Sequence, residues 1–338
     1  MALAVTIINF RTVEATQACI GAVLTDRSEH ILLFVLDNGS EHGEAAALTG
    51  FAEKHGRGKM TVLAADKNLG FAGGSNFLIR EILQNPSIDT ILFLNSDTRP
   101  TPGFITALRA KLDPANRVDL VAAKMLDEKA STVDSLGITL FRSTLASNRK
   151  RDDEILLGPS GGCALFTRRL LEDLQTTHGE WFDETFFCYA EDTDLAVRAR
   201  WLGYRPAYAD DAIVYHARSL SSGGPDNDFV LYHGIRNSIW WLVKNAPLGW
   251  FLRSLPWFVV LHVAIWLRHV RRGKARVLWR LYRDAIKGIP AMRRKRAVIQ
   301  KTRRVPASEF ASWVEPHFYQ RDYVRRAWTE LFKSAPKR

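Results

Sequence analysis

The sequence predicts an α/β fold built around a mostly parallel central sheet. Short apolar, β-branched runs alternate with helical stretches through the first hundred residues, and each of four such runs ends in a turn rich in Asp and Asn. At 338 residues, with 46% hydrophobic and 25% charged side chains, the chain has enough apolar matter to cover a sheet on both faces.

Residues 3–10, LAVTIINF, carry the β-branched side chains of a buried first strand. A helix follows over Val13–Leu24. The run ILLFVL at 31–36 is the second strand, and it stops at Asp37, Asn38, Gly39 and Ser40, residues that favour turns. A helical stretch over 45–55 leads to the third strand, MTVLAA at 60–65, and then to DKNLGFAGGSNFLIREIL. There Gly70, Gly73 and Gly74 permit a close-packed loop, and Ser75 with Asn76 suits a helix start. The fourth strand lies in ILFLNSDTRP at 91–100, where four apolar residues run into Asn95, Ser96 and Asp97 ahead of Pro100.

Ligands of a parallel sheet bind at the carboxyl ends of its strands. The turns after these four strands therefore line one edge and offer Asn9, Asp37, Asp66, Asn68, Asn95 and Asp97. A single turn of this kind is ordinary turn chemistry; four in succession point to a ligand. No G-x-G-x-x-G follows the first strand, which argues against a dinucleotide oxidoreductase.

Asp97, flanked by small polar groups, suits a hard divalent cation with oxygen ligands, of the kind that neutralises a diphosphate leaving group. In LLGPSGGCALFTRRLLEDL, residues 156–174, the Gly161-Gly162 turn serves close approach to a ligand or a plain turn equally well. In FDETFFCYAEDTDLAVRARWLGYRPAY, residues 182–208, Glu191, Asp192 and Asp194 open a helix that Leu195, Ala196, Ala199 and Leu202 continue and Gly203 ends. Acids in a first turn complement the helix dipole. The aromatic residues just upstream, Phe182, Phe186, Phe187 and Tyr189, also supply the desolvation that raises a carboxyl toward a useful base. AIVYHARSLSSGG ends another strand at His216, which is either structural or a second ligand at the Asp97 cation.

In order and spacing, TIINFRT, DNGS, DKNLGFAGGSN, LFLNSD, GPSGGCALF, FFCYAEDTDLAVRARWLGY and VYHARSLSSG resemble the bacterial family 2 inverting glycosyltransferases, over roughly residues 3–245. Within that family they are most similar to rhamnosyltransferases that build polysaccharides on polyprenyl diphosphate. The resemblance implies a GT-A fold, the fold of nucleotide-diphospho-sugar transferases. By position it implies that Asp37 contacts the base and that Asp66, Asn68 and Asn76 contact the nucleoside region. Asn9, Arg11, Asn38, Asn95 and Ser96 complete the donor site. Asp97 is then the metal-binding acid for Mg²⁺ or Mn²⁺, His216 a further ligand, Gly161, Gly162 and Glu191 the acceptor side, and Asp192 the general base. The first acid of the family's D-x-D motif is Asn95 here, which leaves the cation one carboxylate fewer.

Single displacement needs one base for the acceptor hydroxyl and charge stabilisation at the departing diphosphate, rather than the two flanking carboxylates of a hydrolase. The expected activity is inverting transfer of L-rhamnose from dTDP-rhamnose to a polyprenyl-diphosphate-linked saccharide in cell-wall, O-antigen or capsule synthesis. A UDP-hexose-dependent enzyme of the same pathway class, and a non-catalytic scaffold in a polysaccharide assembly complex, are the alternatives.

Charge divides the chain. Residues 1–247 carry 25 Lys and Arg against 31 Asp and Glu, whereas residues 248–338 carry 22 against 5. The expected organisation is a catalytic domain over 1–247 and a basic, aromatic-rich helical region over 248–338. Residues 254–267 are free of charge, too short to span a bilayer and interrupted by Pro256 and His262. With Trp250, Trp257 and Trp266 the stretch reads as a helix at headgroup level. Fifteen basic residues, and only Asp284 among the acids, follow over 268–304, a pairing that suits an anionic membrane surface. A helix packed on the catalytic domain with a solvated basic face is the competing reading, and no recognition motif supports a nucleic-acid partner. The tail FASWVEPHFYQRDYVRRAWTELF folds back as a further helix or mediates a homo-oligomer. Cys19, Cys163 and Cys188 are far apart, as in a reduced cytoplasmic protein, and MALAVTIINFRT lacks an export-signal pattern. The expected location is cytoplasmic, peripheral on the inner face of the plasma membrane.

Overall fold

Alternation along the first strand sets the layers. In β1 (Ala2–Asn9), Leu3, Val5 and Ile7 enter one buried cluster while Ala4 enters another, as the two-residue period of a strand requires. The computed structural model describes residues 2–26, 30–56, 58–217 and 227–321. From β1 the chain runs through α1 (Val13–Leu24), β2 (Ile31–Asp37), α2 (Glu44–His55), β3 (Met60–Ala64), α3 (Gly70–Ile82) and β4 (Ile88–Asn95). It continues through β5 (Thr98–Pro100), α4 (Phe104–Arg109), β6 (Val118–Asp127), β7 (Val133–Ser135), β8 (Ile138–Phe141) and β9 (Ala146–Asn148). Then come β10 (Cys163–Thr167), α5 (Arg168–His178), α6 (Glu191–Trp201) and β11 (Arg205–His216). Three helices, α7 (Asp228–Asn245), α8 (Leu248–Arg271) and α9 (Ala275–Thr302), lead to β12 (Val314–Glu315).

A nine-stranded sheet takes the order β3-β2-β1-β4-β10-β6-β11-β5, with β7 beside β6; β12, β8 and β9 form a smaller sheet. The first four strands are mutually parallel, as expected. β10 lies antiparallel between β4 and β6, and β11 is parallel to β6. Two reversals restore direction, so β11 points the same way as β4. The carboxyl ends of β1, β2, β4 and β11 thus share one edge with the amino end of β10. The sequence reading assigns no strand to 118–148, where the structure has four, because charged residues such as Asp119, Lys124 and Asp134 interrupt the apolar pattern.

Helices α1, α2 and α4 cover one face of the sheet through Cys19, Ile20, Leu48 and Phe104, while α3, α5 and α6 cover the other through Leu78, Ile82, Leu170 and Leu195. Helix α3 starts at Gly70, five residues before Ser75 and Asn76, so the glycines expected in a loop are helical. They let the helix lie on the strands: a Cβ at Gly74 would come within 3.1 Å of Ile8. Pro100 does not end a turn but sits in the edge strand β5, antiparallel to β11, where proline is tolerated.

A third buried cluster crosses residue 247. Trp201 of α6 and Trp241 of α7 pack with Met292 of α9, Phe310 and Trp313. Phe310 stacks on Trp201 with ring centroids 5.6 Å apart. The tail therefore folds back, but as a 3-10 turn over Ala307–Trp313 followed by β12 alongside β8, not as an α-helix. Its part beyond residue 321, like residues 218–223 of the His216 motif, lies outside the described residues.

The charge-free run 254–267 is the middle of a longer helix. α8 has 24 residues, enough by length and composition to cross a membrane. Ser254 and Leu261 are buried on one side of it, whereas Leu252, Val259, Val263 and Trp266 are about half exposed on the other.

Candidate active site

Residues 91–94 of β4 are buried, and the strand delivers Asn95, Ser96 and Asp97 to the shared edge. Three hydrogen bonds fix the turn. The Asn95 N–H donates to the Gly162 carbonyl (3.0 Å), the Ala217 N–H to the Asp97 carbonyl (2.9 Å), and the Thr98 hydroxyl to the Asn95 carbonyl (2.7 Å). The first two bring the start of β10 and the end of β11 onto the β4 turn. As a result, Asp97 Oδ1 lies 3.1 Å from His216 Nε2, and Asp134 Oδ2 lies 2.7 Å from His216 Nδ1. Burial alone would lower the pKa of His216, but the hydrogen bonds to Asp134 and Asp97 outweigh it and raise it to about 9.

Asp97 and His216 fit a divalent cation. Metal bonds of about 2.1 Å at right angles place two ligand atoms about 3 Å apart, close to the separation found. Asp134 on the far nitrogen is the carboxylate partner that metal-bound histidines usually have. Binding there requires Nε2 to give up its proton. Among the described residues, no group of three or more His, Cys, Asp or Glu side chains converges to hold a metal. One carboxylate and one imidazole leave positions for phosphate oxygens and water. Asp134 was not legible in the sequence; it lies on the three-residue strand β7, and only pairing with β6 carries it to the edge.

Next to the β4 turn, and bonded to it, the Gly161-Gly162 turn leads on to the start of α6. A Cβ at Gly162 would stand 2.6 Å from Met125 Cε, and one at Gly161 would stand 3.3 Å from the Phe71 ring. A side chain at either position would have to displace the Met125 methyl or the Phe71 ring. The Gly161 N–H donates to Asp192 Oδ2 at 2.9 Å and the Thr193 N–H to Asp192 Oδ1 at 2.7 Å. Burial raises the pKa of Asp192 despite those two N–H groups. Burial first, and the neighbouring Asp192 second, push Glu191 well above the usual carboxylate range. Glu191 Oε2 is buried and makes no hydrogen bond.

These residues line one cleft of about 1380 Å³ between the sheet edge and α7, with His269 of α8 at its margin. Asn38 and Asn68 also line it, and Asn38 Nδ2 donates to Asn68 Oδ1 at 3.2 Å, which knits the turn after β2 to the loop after β3. The structure does not bring the other expected donor contacts onto the cleft wall. Asn9 and Asp37 are buried below it, where Asn9 Nδ2 donates to Asp37 Oδ1 (3.0 Å) and Glu44 Oε2 (2.8 Å). Arg11 pairs with Glu41 at 3.4 Å on the surface, and Asp66 is exposed beyond β3. Asn76 is fully engaged elsewhere: it donates to the Phe182 carbonyl and Glu184 Oε1, both at 2.9 Å, and accepts from the Phe182 N–H at 3.0 Å. It ties α3 to the segment ahead of α6, because the helix that carries it starts earlier than the sequence suggests.

Residues 4–175 match the family model described as Glycosyl transferase family 2. No curated protein matches the chain. Solved structures share its fold at low identity. TarS 1-349 of S. aureus in complex with UDP-GlcNAc is 14% identical, with 92% of each chain covered and a TM-score of 0.58. The mannosyltransferase PcManGT from Pyrobaculum calidifontis, in complex with GDP-Man and Mn²⁺, is 15% identical over 89% of this chain and 85% of that one, with a TM-score of 0.54. GalNAc-T7 with UDP, GalNAc and Mn²⁺ is 11% identical over 72% of this chain and 48% of that one, with a TM-score of 0.55. At such identities the likeness establishes the fold, which is GT-A.

Proposed function

The chain belongs to family 2 of the glycosyltransferases, and from that premise we propose that it transfers L-rhamnose, with inversion, from dTDP-rhamnose to a polyprenyl-diphosphate-linked saccharide. The observation that carries the mechanism is that Asp97, His216 and Asp192 line one cleft, with the Gly161-Gly162 turn bonded both to the Asn95 turn and to Asp192. Asp97 and His216 would hold Mg²⁺ or Mn²⁺, which when bound neutralises charge on the diphosphate. Asp192 takes the proton of the acceptor hydroxyl. That oxygen forms its bond to the anomeric carbon from the side opposite the diphosphate, whose bond to the sugar breaks. A raised pKa makes Asp192 a stronger base than an ordinary carboxylate. Glu191, whose pKa burial and the neighbouring Asp192 push well above the usual carboxylate range, stands beside the base on the acceptor side. Asn38, Asn68, Asn95 and Ser96 contact the donor, while Asn9 and Asp37 shape the turns beneath it.

The motif set supports rhamnose and dTDP. The bare apolar face of α8, continuous in sequence with the basic α9, supports a lipid-linked acceptor at an anionic membrane surface on the cytoplasmic side. In this reading residues 1–247 are the catalytic part and 248–338 the membrane-associating part.

Thermal unfolding with Mn²⁺ or Mg²⁺ and a panel of dTDP-, UDP- and GDP-sugars tests the donor. A ligand present at about 100 times its Kd stabilises the folded state by about 2.7 kcal/mol, and the largest metal-dependent shift is expected with dTDP-rhamnose. A larger shift with a UDP-sugar reassigns the donor. Asp192→Asn is expected to lower kcat by about 10²–10⁴-fold with an unchanged donor-induced shift; wild-type turnover in that variant would place the base elsewhere.

A further inference from the structure

The segment that delivers Glu191 and Asp192 is held in a conformation the chain does not favour. Phe187 (φ +66°, ψ −64°) centres a γ-turn of the left-handed kind, closed by the Cys188 N–H donating to the Phe186 carbonyl at 2.8 Å. Tyr189 (φ +68°) and Ala190 (φ +66°, ψ +2°) are left-handed as well. Three of the four residues before Glu191 thus occupy backbone positions that L side chains rarely take, and none is Gly or Asn. Such a run persists only where its surroundings over-determine it.

One side chain supplies most of that determination. Asn237, on α7 and fully buried, places Nδ2 at 2.9 Å from the carbonyl of Phe186 and 2.8 Å from those of Cys188 and Tyr189, its two N–H groups shared among the three. Its Oδ1 accepts from Arg236 Nε at 2.9 Å, which fixes the orientation of the amide, and the Arg236 guanidinium lies 4.2 Å from the centroid of the Trp240 ring. The remaining carbonyl, of Phe187, accepts from the Ala72 N–H at 3.1 Å; Gly70 makes room for it, since a Cβ there would stand 2.3 Å from that oxygen. Every carbonyl from residue 186 to 189 therefore ends on α7 or α3.

We propose that Asn237 is a positioning residue of the transfer reaction, holding the bracket 186–190 so that Glu191 and Asp192 face the acceptor. The proposal rests on the assignment of Asp192 as the base. Without the three amide bonds, residues 187, 189 and 190 relax toward ordinary backbone regions and rotate the first turn of α6, where Asp192 must stay within reach of the Gly161 N–H. Helix α6 beyond Thr193 is anchored separately, by bonds of Asp194 to Lys244, Arg198 and Asn245, so the disturbance is local.

Asn237→Asp tests it without emptying the core. The variant keeps the shape of the side chain and an oxygen for Arg236, gains an ionic partner in that guanidinium, and replaces the donation to the three carbonyls with a carboxylate oxygen that repels them. The measurements are hydrogen exchange over residues 186–193, the thermal shift with Mn²⁺ and dTDP-rhamnose, and transfer to a polyprenyl-diphosphate-linked monosaccharide across pH, with Asp192→Asn alongside. Exchange over 186–193 is expected to accelerate while the donor-induced shift stays at its wild-type value. kcat falls about 10–100-fold, as for a misplacement near 1 Å, and the acid limb of the rate profile moves to lower pH as water reaches Asp192. Adding Ala190→Gly, which reaches a positive φ without the steric cost of a Cβ, restores part of the rate. Wild-type exchange, or faster exchange with wild-type kcat and pH profile, overturns the proposal. An active Asp192→Asn variant overturns the base and with it the catalytic meaning of the clamp, and it is told apart because it arises in a protein whose bracket is untouched.

Discussion

His216 sits between two carboxylates, and each has a different part. Asp97 faces the cleft at Nε2, whereas Asp134 fixes the plane and tautomer of the ring from Nδ1. Asp134→Asn keeps the shape but removes the charge that makes the imidazole a good ligand, so Mn²⁺ affinity is expected to fall about 10–100-fold by calorimetry without donor. Asp97→Asn, which alters the proposed ligand itself, is expected to cost more than that. Equal affinities in wild type and Asp134→Asn would leave Asp134 a role in folding alone. Asp97, Asp192 and His216 were legible in the sequence because each stands at the end of a strand or the start of a helix, where local pattern marks an exposed edge. Asp134 and Asn237 were not, since their partners lie 82 and about 50 residues away and nothing beside them in the chain announces the contact.

At the scale of elements, the start of α6 combines two kinds of acid. Asp194, which the sequence allows as a simple complement to the helix dipole, is fully buried with Arg198 Nε at 2.8 Å and Lys244 Nζ at 2.9 Å. Lys244 Nζ also meets Asp183 at 2.8 Å and Glu180 at 2.6 Å, and Lys295 of α9 reaches Asp183 at 2.6 Å. The network joins α6, α7 and α9, and periodicity does not disclose it because each partner comes from a different segment. Burial would raise the carboxyl pKa of Asp183, but Lys244 and Lys295 lower it; Lys244 and then Arg198 do the same for Asp194. Folded pKa values below the unfolded ones give stability that is complete above about pH 4 and lost as pH falls further. Urea titrations between pH 6 and 3 are expected to show that loss. Lys244→Met leaves buried carboxylates short of a partner and is expected to cost about 3–5 kcal/mol at neutral pH. In that variant the acid-side loss shrinks or reverses, because nothing then holds the two carboxyls down as before. A parallel pH dependence in both proteins would show that the network does not govern acid stability.

Across the whole molecule, the division of charge at residue 247 was legible by counting, but the packing there was not. Trp201, Trp241 and Trp313 share one core, so cutting the chain at 247 would expose tryptophan rather than yield a clean soluble half. The membrane surface is better tested on α8, whose inner side buries Ser254 and Leu261 and whose outer side exposes Leu252, Val259 and Val263 at 56%, 49% and 52%. These three stand at spacings of seven and four, one stripe of a helix. Full burial of such side chains contributes about 1.5–3 kcal/mol each, and a basic residue near an anionic surface adds about 1 kcal/mol. Neither contribution alone gives firm binding, whereas together they do. Wild-type protein is therefore expected to float with vesicles containing phosphatidylglycerol, to bind pure phosphatidylcholine weakly, and to be released in part by salt that screens the basic α9. Changing Leu252, Val259 and Val263 together to Ser should abolish flotation while leaving the donor-induced thermal shift intact, because the stripe faces away from the core that supports the cleft. Undiminished flotation of the triple variant would assign binding to charge alone, and equal binding to both lipids would remove the basic helix from the account.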